Sequence, residues 1–126
     1  MGERGVYRLG IIEESLNDRN VLKELEPFFI SRRTEAVPDD PCPLWHINEY
    51  HVPDHKIAAI AERLQMHVMP TWYIHAFSES NLIVVLTDAA FEMSLHRDDT
   101  WNKMIAYGER VAHVEHRYLE SIPLHI

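Results

Sequence analysis

The residues best suited to chemistry lie in two stretches that otherwise read as β-strand. Leu44 to Val52 runs Leu-Trp-His-Ile-Asn-Glu-Tyr-His-Val, and Thr71 to Phe77 runs Thr-Trp-Tyr-Ile-His-Ala-Phe. An ordinary core strand would carry valines where these carry His46, Asn48, Tyr50, Tyr73 and His75. Imidazoles titrate near neutrality, so His46 and His75 are the candidate catalytic residues, suited to taking a proton from a carbon next to a carboxylate. Arg8 in the first apolar run would favour an anionic ligand, and Asn48, Tyr50 and Tyr73 would orient it by hydrogen bonds.

Other chemistries find less support. A metal held by His46 and His75 would need a third ligand, and the nearest residues, Glu49 and His51, have the opposite strand parity. There is no His-Glu-x-x-His or paired-cysteine pattern, no Ser-His-Asp context or nucleophile elbow, and no glycine-rich phosphate loop. Pro53 separates His51 from His55, and His113 and His116 read as solvated surface residues. No metal and no cofactor is therefore expected. The acids Glu13, Glu14 and Asp18 read most simply as helix-start charges. Cys42, the single cysteine, stands between Pro41 and Pro43 near Asp39 and Asp40, an acidic setting that disfavours a thiolate. An unpaired thiol suits a reducing compartment.

The elements that must position these residues follow from periodicity. Val6 to Ile12 is an apolar strand, and Val21, Leu22, Leu25 and Phe28 predict a helix from about Asp18 to Glu26. Phe28 to Glu35, with Arg32 and Arg33, suits a short edge strand whose charges discourage pairing with other chains. After a proline-rich loop to Pro43 comes the His46 strand, then a helix capped by Asp54 with a stripe of Ile57, Ile60, Ala61 and Leu64. Thr71 to Phe77 and Leu82 to Thr87 form a hairpin, and Phe91 to Leu95 prolongs or re-enters the sheet. Trp101, Met104, Ile105 and Gly108 mark a helix capped around Asp98 to Thr100. The tail from Val111 to Ile126 predicts a short helical turn and an extended end.

This order predicts an α+β chain: a ferredoxin-like β-α-β-β-α-β antiparallel sheet, strand order 4-1-3-2, with an added hairpin strand and a C-terminal helix. Trp45-His46-Ile47, Glu49-Tyr50 and Trp72-Tyr73 with His75 together resemble a pattern in small uncharacterised prokaryotic α+β proteins with no assigned activity. The resemblance implies no catalytic residue. Strand parity predicts one apolar face (Tyr7, Leu9, Ile11, Trp45, Ile47, Trp72, Ile74) beneath the helices. The opposite face would gather Arg8, Gly10, His46, Asn48, Tyr50, Tyr73, His75 and Phe77. Gly10, having no side chain, would leave a hollow between His46 and His75, whose strands stand roughly 9 to 10 Å apart. The ligand-binding set is thus Arg8, Gly10, His46, Asn48, Tyr50, Tyr73 and His75.

At 126 residues, the chain is the size of one domain, taken as 1–126. Its 46% hydrophobic and 25% charged residues suit a soluble globular protein, and a formal charge of −8 repels nucleic acid and anionic membrane surfaces. The aromatic sheet face lacks the glycine-aromatic run of an RNA-recognition module. No apolar run approaches the roughly 20 residues that span a bilayer, and no signal-like segment opens the chain, so a cytoplasmic location is expected. Met1-Gly2 lacks a Ser or Thr at position 6 and does not read as a myristoylation start. The functional expectation is a protein binding a small organic molecule, an anionic one being favoured by Arg8, on the open sheet face or in a homodimer cavity. The alternatives are a non-catalytic dimerisation or regulatory interaction module, and a histidine-based acid-base enzyme of dimeric α+β-barrel type.

Overall fold

The computed structural model describes residues 5–126; Met1 and Gly2 lie outside them. The chain is α+β. Among the described residues, six strands form one antiparallel sheet in the order β2-β3-β1-β4-β5-β6. The strands are β1 (Val6–Ile12), β2 (Phe29–Ala36), β3 (Leu44–Pro53), β4 (Ile74–Phe77), β5 (Asn81–Leu86) and β6 (Ala89–Ser94). Helix α1 spans Asp54–Leu64, α2 Asp99–Arg110 and α3 His116–Glu120. None of these helices is long and apolar enough to cross a membrane.

Three elements differ from the sequence expectation. The helix predicted after β1 is wound as 3-10, first as a turn over Glu13–Ser15 and then over Arg19–Phe28. Pro27 inside the second segment has no N–H to give, and the winding still delivers Val21 and Leu25 to the core. β4 begins at Ile74 rather than Thr71, because Thr71 has a left-handed backbone (φ 75°) that cannot join a ladder. The re-entrant stretch is a full strand, β6, so the sheet has six strands, one more than the sequence predicts.

The register decides which residues share a face, because directly opposed residues in antiparallel strands point the same way. Tyr7 is opposite Val52, Leu9 opposite Tyr50 and Ile11 opposite Asn48, while Leu9 is also opposite Ala76. These residues, with Ile74, Ile83 and Val85, form a first face covered by α1 (Ile57, Ala61, Leu64) and by Leu16, Val21 and Leu25. Arg8 opposes His51 and Phe77, and Gly10 opposes Glu49 and His75, so these occupy the second face. Over β4 to β6 the second face is covered by α2 and the segment beyond it: Phe77, Leu82, Val84 and Met93 meet Trp101, Met104, Leu119 and Ile122. The helices therefore lie on both faces of the sheet.

Ile11 is fully buried in the first core, whereas Ile30 on β2 is 51% exposed. Ile11→Ala should therefore lower the unfolding free energy by about 2–5 kcal/mol. Ile30→Ala should stay within about 0.5 kcal/mol of the parent. Urea denaturation of the two variants checks this placement, and equal costs would contradict it.

Candidate functional site

The predicted site residues do not converge. His46, Asn48 and Tyr50 belong to the first face, whereas Arg8, Gly10, Tyr73 and His75 belong to the second. A shared pocket between His46 and His75 is excluded by this division. Trp45 and Ile47, expected in the helix-covered core, sit half-buried with the opposite parity, and Trp45 meets Trp72 edge-on at 5.3 Å beyond the end of β1. The alternation of polar Glu49 and His51 with Tyr50 and Val52 is the sequence signal for the true parity.

The hollow over Gly10 is filled by the chain itself. A Cβ built on Gly10 would lie 3.1–3.3 Å from the side-chain carbons of Ile126, so glycine here admits the tail. His75 Nε2 lies 3.2 Å from the carbonyl oxygen of His125, and its ring stacks on Phe77 (5.8 Å) and meets Tyr73 edge-on (6.0 Å). Burial pushes the His75 imidazole down to about 4 and the Tyr73 phenol up. Arg8, expected to be free for an anion, gives its Nε–H to Glu49 at 2.8 Å and lies over the Phe77 ring at 5.3 Å. Glu49 also holds His51 Nε2 at 3.0 Å. Arg8 first, then His51, keeps the Glu49 carboxyl below the usual range.

On the first face, polar groups gather where the Glu13–Ser15 turn meets β3 and β2. Glu13 and Glu14, read from sequence as helix-start charges, turn back onto the sheet. Arg32 Nε and Nη2 donate to the two Glu13 oxygens at 2.9 and 3.2 Å. The Glu14 carboxylate accepts the backbone N–H of His46 at 2.8 Å and the ring Nδ1–H at 2.5 Å. Arg19 stands 3.6 Å from both carboxylates. Asn48 Nδ2 donates to the Tyr50 hydroxyl at 3.0 Å, while Asn48 Oδ1, in a residue only 4% exposed, has no partner among the described residues.

The electrostatics follow from these contacts. The Arg32 hydrogen bond, followed by a donor from Asn48, holds the Glu13 carboxyl below its ordinary range against the opposing effect of burial. For Glu14, burial pushes upward, but the ring and backbone donors of His46 outweigh it and the carboxyl is lowered. Burial also raises the Tyr50 phenol. Because Nδ1 of His46 is committed to Glu14, the lone pair of the neutral ring lies on Nε2, which has no protein partner among the described residues. A carboxylate that fixes the tautomer and orientation of an imidazole is the arrangement a general base requires.

Among the described residues, no group of three or more His, Cys, Asp or Glu is disposed to hold a metal ion. Two open grooves lie elsewhere. One, of about 640 Å³, runs beside α1 and is lined by Tyr7, Asp54, Ala61, Asn81 and Glu92; the other, of about 410 Å³, lies beside α2 with Arg97, Trp101 and His116. Neither is lined by His46 or His75.

The displaced titrations give the stability a two-part dependence on pH. His75 is lowered from 6.5 to about 4, so the unfolded chain binds its proton first as pH falls. The His75 contribution is then constant above about 6.5 and declines toward pH 4, by at most about 1.4 kcal/mol per pH unit for one proton. Glu13, Glu14 and Glu49 are lowered from 4.5, so their contribution is present above that value and is lost below it as each folded-state carboxyl protonates. Urea midpoints measured from pH 8 to pH 3 should show both limbs; His75→Gln should remove the upper one and Glu13→Gln should reduce the lower. An unchanged upper limb in His75→Gln would refute the burial of that ring.

Comparison with protein-family models, with curated proteins and with solved structures finds no match to this chain, so the assignment rests on its own residues.

Proposed function

We propose that the protein binds a small polar organic molecule at the end of β3, with Glu14 and His46 as a proton-exchanging couple facing it. The observation that carries this reading is the double hold of Glu14 on His46, at the ring Nδ1 (2.5 Å) and the backbone N–H (2.8 Å). That hold orients the ring and presents Nε2 as an acceptor. Its support is strengthened by Asn48 Oδ1, a second acceptor without a partner among the described residues, on the same face and strand. A buried unsatisfied acceptor costs about 1–3 kcal/mol, which a ligand donor or a water would offset.

The same contacts argue for a neutral ligand over an anionic one. Arg8 is engaged by Glu49, Arg32 by Glu13, and Arg19 stands beside both Glu13 and Glu14. A hydroxyl or amide that donates to His46 Nε2 fits the acceptors better than a carboxylate would. The framework we read as a ferredoxin-like sheet lengthened by the β5-β6 hairpin, a scaffold that does not by itself specify a reaction.

The test is a thermal-shift screen of neutral alcohols, amides and sugars, followed by chemical-shift mapping of any hit. A ligand present at about 100 times its Kd should stabilise the protein by about 2.7 kcal/mol. Glu14→Gln and His46→Ala should each weaken it at least tenfold while Arg8→Ala leaves it unchanged. Perturbations centred on Arg8, Gly10 and His75 would instead overturn the reading.

A further inference from the structure

β2 is the outermost strand of the sheet, and all eight of its residues are exposed. Among the described residues it pairs only with β3. The N–H of Val37 bonds back to Pro43, so by the alternation of an antiparallel ladder Arg33 and Glu35 turn their backbone groups toward β3. Arg32, Thr34 and Ala36 then turn theirs outward. No proline interrupts the strand between Phe29 and Ala36, and its single irregularity, between Phe29 and Ser31, lies before that span.

Exposed edges are ordinarily guarded by unpaired charge. Here the guard is neutralised within the chain: Arg32 is bound by Glu13 on one face and Arg33 by Glu35 on the other. We propose that β2 pairs antiparallel with β2 of a second copy of this chain about a two-fold axis at Thr34, joining two sheets into one. Charge selects this register. With Thr34 opposite itself, each Arg33 faces the Glu35 of the other copy and each Arg32 faces an Ala36. A shift one way places Arg33 against Arg33, and a shift the other way places Glu35 against Glu35; like charges directly opposed are unfavourable. The outward groups of Arg32, Thr34 and Ala36 then exchange about six backbone hydrogen bonds. The pairing also carries Ile30, 51% exposed, toward Pro38 of the other copy.

Sedimentation velocity from about 10 µM to 1 mM tests this at about 0.15 M salt, where the Debye length of about 8 Å screens the repulsion between two chains of charge −8. The expected result is a concentration-dependent dimer. Thr34→Pro should be monomeric with an unchanged urea midpoint, since the N–H it removes points away from β3 and is not used among the described residues. Arg33→Glu alone should weaken association at least tenfold, and adding Glu35→Arg should restore it, which keeps the proposal testable if the proline variant folds poorly. A monomer throughout the range, or a dimer whose Kd none of these changes moves, overturns it.

Discussion

Everything distinctive in this molecule depends on one pairing, the register of β1 against β3. With Leu9 opposite Tyr50 and Ile11 opposite Asn48, the even residues of β3 join the odd residues of β1 on a single face. A slip by one residue would exchange every side chain of β3 between the two cores. Tyr50 and Val52 hold the register, because both are almost fully buried with Leu9 and Ile11 and neither could be moved to solvent without losing that contact. Once they are fixed, His46 and Asn48 follow onto the face from which the Glu13–Ser15 turn descends.

The polar cluster that results is stabilised locally rather than by the core. Glu13 is only 8% exposed, and a carboxylate so placed is tolerable when it is paired and hydrogen-bonded, as Arg32 makes it. Glu14 does for the end of β3 what another strand would do, accepting a backbone N–H beyond the point where β1 stops pairing at Ile47. Glu14 thus terminates this end of β3 and fixes an imidazole in the same act. On the far side, His75, Tyr73 and Phe77 form an aromatic shelf under residues 125 and 126, where the same kinds of side chain do packing work.

Much of the fold was legible in the sequence and much of the site was not. β1, β3, α1 and α2 carry strong period-2 or period-3.6 patterns, and their extents agree with the structure to within a few residues. The partition of β3 was misread because Trp45 and Ile47 look like core residues. The discriminating evidence, polar Glu49 and His51 flanking Tyr50, lay at the other end of the strand. Glu13 and Glu14 resemble helix-start charges in any sequence, and only tertiary contact with Arg32 and His46 gives them another role. Gly10 did mark a close approach, but of Ile126, and no local pattern announces a partner 116 positions away.

The most direct measurement is a long-range proton–nitrogen NMR correlation of the histidine rings in the uniformly labelled protein at pH 7.5. An unconstrained imidazole favours the Nε2–H tautomer, whereas the hydrogen bond from His46 to Glu14 requires Nδ1–H. The account predicts that His46 is found as the Nδ1–H tautomer and that Glu14→Gln shifts its Nδ1 resonance more than that of any other histidine. A His46 ring in the ordinary Nε2–H form, indifferent to Glu14, would contradict both the register and the site built on it.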